Sequence, residues 1–184
     1  MKILKITSIV IIVLVLIVGT VYAYYGGFKT IQFTEEIQGG ETLVYEEMIG
    51  DYGQSPTVQM KIYEALLNEE IETTKGFGIY YDDPKTVEKS QLRSEVGCIV
   101  EGLDSTVIAQ LSEKYTVKTL PAENCIVTEF PNKGMLSILI GIIKVYPALE
   151  TYCKQQGANN SPVMEIYDVP NKKIIYRKLS QKPL

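Results

Sequence analysis

The chain has 184 residues, 18 of them basic and 22 acidic, a net charge of −4, and it contains no histidine and no tryptophan. Without histidine, nucleophile activation by a Ser-His-Asp triad and His-containing metal sites are excluded. Three of the basic residues fall in the first 30, so from residue 31 onward 15 basic residues stand against all 22 acidic ones, a net charge of −7, and with no basic stripe in view nucleic acid is not an expected partner.

Residues 1–30 read as a separate object, an N-terminal membrane anchor with its flanks. Ile6 to Ala23 carries no charge, and Ile9 to Val18 is apolar throughout. Eighteen helical residues at about 1.5 Å each approach the ~30 Å thickness of a bilayer's hydrocarbon core. Tyr22, Tyr24 and Tyr25 follow where an interfacial aromatic belt would lie, and Lys2 and Lys5 precede the run. The positive-inside rule then places the N-terminus in the cytoplasm and the domain outside it, as a single-pass membrane protein. The alternative is a cleaved signal peptide and a secreted domain, since Val21-Tyr22-Ala23 ends in a small residue. A membrane is therefore the first expected partner.

Residues 31–40 are expected to be a connector, and 41–184 a domain of ordinary size with its own core. Glu41 to Gly50 reads as a strand, Gly50 to Gln54 as a turn, and Ser55-Pro56 as an N-cap followed by proline at the first helical position. In the helix that follows, Val58, Ile62 and Leu66 lie to one side with Met60, Tyr63 and Leu67. Gly76 to Asp82 and Ser94 to Val100 read as strands, as do Tyr115 to Leu120 and Asn124 to Phe130. Leu136 to Gln156 reads as a more apolar helix, kinked or broken at Pro147. Pro162 to Asp168 and Lys173 to Lys178 form a closing hairpin around Pro170-Asn171.

This order repeats. Val44-Tyr45-Glu46 returns 83 positions later as Val127-Thr128-Glu129, and Lys61-Ile62-Tyr63-Glu64-Ala65-Leu66 returns at the same offset as Lys144-Val145-Tyr146-Pro147-Ala148-Leu149. Tyr81-Asp82-Asp83-Pro84 returns 86 positions later as Tyr167-Asp168-Val169-Pro170. Two copies are too few for a solenoid. The expected fold is α+β: two strand–helix–strand–strand halves, at about 41–101 and 113–180, forming an antiparallel sheet with both helices on one face. Glu165 lies within Val163-Met164-Glu165-Ile166-Tyr167. Alternation puts it on one face with Val163 and Tyr167. A carboxylate among apolar strand residues is costly to bury unpaired, so it calls for a donor or a cation, unless the strand is an edge with Glu165 in water. Cys98, Cys125 and Cys153 make no C-x-x-C pair and allow either one disulfide with a free thiol or three core-packed thiols.

Gly50-Asp51-Tyr52, Gly78-Ile79-Tyr80-Tyr81-Asp82-Asp83-Pro84, Leu92-Arg93-Ser94-Glu95-Val96-Gly97 and Met164-Glu165-Ile166-Tyr167 resemble the GyrI-like small-molecule-binding domains, the effector-binding domains of multidrug-sensing and AraC-type regulators. Phe130-Pro131, Leu136-Ser137-Ile138, Val145 to Tyr152 and Glu165-Ile166-Tyr167 are similar to a membrane-anchored subfamily that includes the testis-expressed ER-phagy receptors of animals. The resemblance implies a cleft between the two halves that holds an amphipathic small molecule, cationic in the version where Glu165 supplies the counter-charge, Tyr81 and Tyr167 the walls and Tyr52 the mouth. A protein-interaction or scaffold domain is the alternative, and a small-molecule hydrolase using Glu165 the second. No catalytic residue, cofactor or metal is assigned.

Overall fold

The computed structural model describes residues 2–157 and 161–180, with side chains from Lys5 onward. Met1, residues 158–160 and residues 181–184, which the expected anchor and domain include, lie outside the described residues. The elements in chain order are α1 (Lys2–Tyr24), β1 (Thr34–Gln38), β2 (Thr42–Ile49), α2 (Ser55–Asn68), β3 (Lys75–Tyr80), β4 (Arg93–Val100), α3 (Ser105–Lys114), β5 (Thr116–Thr119), β6 (Glu123–Pro131), α4 (Met135–Gln156), β7 (Val163–Asp168) and β8 (Lys173–Leu179). Within α1, Lys5–Tyr24 is long and apolar enough to cross a membrane, and none of it is buried against the rest of the chain.

All eight strands form one antiparallel sheet in the order β1-β6-β8-β7-β3-β4-β2-β5. Its centre is the β3–β7 pair, with β8 and β6 on one side and β4 and β2 on the other. Both long domain helices lie on one face of it. Ile62 and Leu66 of α2 pack on Val44, Cys98 and Val100. Val145 of α4 packs on Phe130, Ile174 and Tyr176, and Leu149 and Cys153 pack on Ile126. The opposite face is also buried. Leu43, Tyr45, Phe77, Ile79, Ile99, Met164 and Ile166 form its core, and Leu120, just after β5, packs against it. This face also carries part-buried charged pairs, among them Arg177 with Glu41 at 3.0 Å and Lys118 with Glu95.

Four expectations change. Residues 31–40 are more than a connector. Thr34–Gln38 is the edge strand β1 on β6, the Thr128 hydroxyl donates to the Gln32 carbonyl, and Ile31 and Phe33 pack against the α4 layer. A third domain helix, α3, fills residues 105–114, where no element was expected. Asp104 caps it by accepting from the Thr106 and Val107 amides. α4 runs through Pro147 without interruption. Proline removes the hydrogen bond to the carbonyl four residues earlier. That carbonyl belongs to Ile143, on the exposed side of the helix, where water can take the donor's place.

The fourth change concerns α2. Its cap position is Gln54, and Ser55 is its first helical residue, so the Ser55 side chain is not a cap. A short 3₁₀ turn at Tyr52–Gln54 leads into the helix, with the Asp51 carboxylate accepting from the Gly53 amide. Ser55 is buried instead, with its hydroxyl facing inward.

The ungapped repeat register also divides. In the helices the offset of 83 holds in packing terms, because Ile62 and Leu66 correspond to Val145 and Leu149 and all four face the sheet. In the strands it fails by parity. Val44 faces the helix layer, but Val127 pairs with Arg177 on the opposite face. A slip of one residue reverses every side chain of a strand, so correspondence requires an even offset between β2 and β6 and an odd one between β3 and β7. The offset of 86 between β3 and β7 has the same fault. It matched Glu165 to Ile79, which lies on the other face. The residue directly opposite Glu165 is Gly78.

The three cysteines are free and buried. Burial pushes their thiols up, Cys98 to about 12, so they act as small core residues.

Candidate functional site

The site is built where the two halves of the sheet meet. In β7 the alternation places Val163, Glu165 and Tyr167 toward the helices. Glu165 is 3% exposed, so its carboxylate is inside the protein. Tyr146 of α4 donates to Glu165 Oε1 at 2.7 Å, and Tyr167 donates to Oε2 at 2.5 Å. Tyr176 of β8 lies beside Glu165 in register, its ring edge-on to Tyr146 with centroids 6.0 Å apart. Tyr80 of β3 completes the wall and adjoins Tyr167 and Ser55.

Two glycines make this arrangement fit. A Cβ on Gly78, opposite Glu165, would lie 2.6 Å from the Tyr80 hydroxyl. A Cβ on Gly141 of α4 would lie 2.6 Å from the Tyr176 hydroxyl. Four tyrosines therefore close around one carboxylate because two facing positions carry no side chain.

The electrostatics are unusual. Among the described residues no lysine or arginine forms an ion pair with Glu165, and both of its hydrogen-bond donors are neutral phenols. Burial raises the Glu165 carboxyl above its usual range, and the two tyrosine hydrogen bonds oppose that rise. The tyrosines shift in the same direction. Burial and then the nearby Glu165 charge raise Tyr146 and Tyr167 well above the ordinary value and Tyr80 to about 12, so they remain donors at any physiological pH. The Arg177–Glu41 pair on the other face shows the contrasting solution, a buried cation with its own carboxylate.

Three buried hydroxyls among the described residues have no hydrogen-bond partner: Ser55 Oγ, Ser94 Oγ and Tyr176 Oη. All belong to this neighbourhood. Ser55 adjoins Tyr80, Ser94 lies opposite Tyr80 across β3–β4, and Tyr176 lies opposite Glu165 across β7–β8.

Of the residues proposed from the sequence, Glu165 and Tyr167 are together. Tyr52 stands one layer out. Its ring is 4.7 Å from that of Tyr80, and its hydroxyl is held by the backbone of Asp82 and Arg93. Tyr81 is set apart from Glu165, with the Arg93 guanidinium 6.0 Å from its ring centre and Glu95 and Tyr45 as its other neighbours. Alternation along Gly76-Phe77-Gly78-Ile79-Tyr80 sends Tyr80 to the Glu165 side and leaves Tyr81 on the other. The alternation is readable in the sequence, but which of the two shares a face with Glu165 is set by the β3–β7 register. Tyr146 and Tyr176 required the helix's rotation and the hairpin's register.

Residues 41–175 match the GyrI-like small molecule binding domain. The chain belongs to this family. GyrI-like structures share its architecture: the C-terminal domain of EcmrR superposes with a TM-score of 0.58 at 12% identity, covering 83% of this chain and 99% of that one. SAV2435 bound to tetraphenylphosphonium superposes with a TM-score of 0.55 at 15% identity, covering 82% and 94%. Among curated proteins, the mouse Testis-expressed protein 264 homolog is 29% identical over 132 residues. The match takes in 68% of this chain and 41% of the mouse protein, so the GyrI-like chain spans less than half of that relative's length.

Proposed function

We propose that this GyrI-like protein is a membrane-anchored binding module that holds an amphipathic organic cation against Glu165. The observation that carries the reading is a buried carboxylate with only neutral donors. A cation entering the tyrosine wall would supply the missing counter-charge, and the ring faces of Tyr80, Tyr146, Tyr167 and Tyr176 would add cation–π attraction of roughly 0.5–2 kcal/mol each. The unpartnered hydroxyls of Ser55, Ser94 and Tyr176 support a site that is completed by a guest. The SAV2435 structure, bound to a lipophilic cation on the same fold, supports the chemical class. The length and exposed apolar surface of α1 support the anchor, and Lys2 and Lys5 support an N-terminus on the cytoplasmic side.

The test is binding of tetraphenylphosphonium to the full chain, followed by calorimetry, with Glu165→Gln beside the wild type. Binding that weakens at least about tenfold in the variant, equivalent to ~1.4 kcal/mol, supports the charge role. Equal affinity in both proteins would sink it.

One observation favours a second reading, a scaffold domain that uses the fold without a ligand. The Glu165 carboxylate is already satisfied by the chain's own Tyr146 and Tyr167. No binding across a panel of cationic and neutral amphiphiles, with full stability retained in Glu165→Leu, would decide for the scaffold.

A further inference from the structure

The first three turns of α4 carry an apolar face that the sheet does not use. Ser137, Gly141, Val145, Leu149 and Cys153 recur every four residues and are buried against the strands. Met135, Leu139 and Ile143 follow the same spacing on the opposite side of the helix, with Leu136 beside them, and all four are exposed, Ile143 to 72%.

The end of α1 lies along these same turns. The Lys133 ammonium donates to the Tyr24 carbonyl at 3.0 Å, the Ser137 hydroxyl to the Tyr25 carbonyl at 3.2 Å, and the Lys144 ammonium to the Gly27 carbonyl. A Cβ on Gly26 would collide with the rings of Pro131 and Phe130, so the chain leaves α1 pressed against the start of α4. Tyr22, Tyr24 and Tyr25 are where the aromatic belt of a spanning α1 would lie. If α1 spans the bilayer, these contacts hold the apolar turns of α4 near the depth of the lipid headgroups. The β7–β8 turn lies at the same end, since the Asn132 amide bonds the Lys172 carbonyl, and it adds exposed Val169. Exposed Phe28 follows α1 directly. Lys29, Lys133 and Lys172 are exposed around this surface, in a domain otherwise acidic.

We infer that the N-terminal half of α4 is an interfacial membrane-docking surface, which lays the domain onto the same bilayer that α1 crosses. The inference rests on the anchor reading of α1. An apolar stripe with flanking lysines suits a helix lying in the interface plane, its side chains reaching about 5–10 Å into the boundary between headgroups and acyl chains. Docking would fix the orientation of the domain relative to the membrane and bring its ligand site close to a phase where amphiphiles concentrate.

The absence of tryptophan provides the experiment. The full chain is reconstituted in phosphatidylcholine vesicles with brominated acyl chains, in three single-tryptophan versions: Leu14→Trp in α1, Ile143→Trp on the α4 face, and Ile49→Trp at the far end of β2. All three positions are exposed, so the fold tolerates them. The expected result is strong quenching of Leu14→Trp, clear quenching with a blue-shifted emission for Ile143→Trp, and neither for Ile49→Trp. If Leu14→Trp is quenched but Ile143→Trp matches Ile49→Trp, the docking surface is overturned and the anchor stands. If Leu14→Trp is also unquenched, the anchor reading fails and the docking surface fails with it.

Discussion

Glu165 and Gly78 face each other across the β3–β7 pair, at the centre of the sheet. The pair joins a buried carboxylate to a position with no side chain at all. The space that Gly78 leaves is taken by the hydroxyl end of Tyr80. Gly78→Ala is therefore expected to push Tyr80 out of the site, at a cost of roughly 1–3 kcal/mol from overpacking. Urea unfolding measures the loss, and tetraphenylphosphonium affinity should fall with it. Wild-type stability and affinity in the variant would show that the contact is slack.

The buried carboxyl of Glu165 makes stability depend on pH with a defined sign. Its value in the folded protein lies above the 4.5 of an exposed glutamate. The folded state thus binds this proton more tightly than the unfolded chain does. The stability it contributes is complete below about pH 4.5 and is lost as pH rises through the folded value, by up to ~1.4 kcal/mol per pH unit across that window. Glu165→Gln cannot titrate. Relative to wild type, it should gain stability from pH 4 upward, with a plateau once Glu165 is fully ionised. Denaturant melts of both proteins across this range check the direction, and a wild type that gains on the variant with rising pH would refute it.

Tyr146 and Tyr176 touch the same carboxylate neighbourhood but differ in one respect. The Tyr146 hydroxyl donates to Glu165, whereas the Tyr176 hydroxyl has no partner. Tyr146→Phe should cost roughly 1–3 kcal/mol at neutral pH, because it removes one of two donors to a buried acceptor. That cost should shrink in acid, where Glu165 is protonated. Tyr176→Phe should be close to neutral at every pH. Equal losses in the two variants would contradict the assigned hydrogen bonds.

Arg177 provides a comparison on the other face. Its guanidinium is 5% exposed, bonds Glu41 at 3.0 Å and also contacts the Met164 sulfur. Glu41→Gln leaves that cation buried with no counter-charge, which costs on the order of 3 kcal/mol. Thermal unfolding should show a clear fall in midpoint. The surface pair Lys61–Glu46, similarly close at 2.6 Å but well exposed, should lose under about 1 kcal/mol when Lys61 is truncated.

Much of this molecule was legible from local chemistry. The charge-free run of Ile6 to Ala23, the strand alternation, the proline near the start of α2 and the isolated Glu165 each act over a few residues. Their consequences can be read along the chain: an apolar helix, an antiparallel sheet with two helices on one face, and a carboxylate sharing a strand face with Val163 and Tyr167. The buried stripes of α2 and α4 were legible for the same reason, since Ile62, Leu66, Val145 and Leu149 are set by a four-residue spacing.

What the tertiary structure decided depends on register between distant segments. Strand parity is invisible to an ungapped alignment, so Tyr80 and Tyr81, one position apart, exchanged roles when β3 paired with β7. Tyr146 and Tyr176 joined Glu165 only because α4 packs at one rotation and β8 pairs with β7 in one register. The same holds for α1 lying along the start of α4, which rests on contacts more than 100 positions apart in the chain. Side-chain type and local period determined the elements. The free energy of burying both faces of the sheet at once selected the registers, and with them the composition of the site.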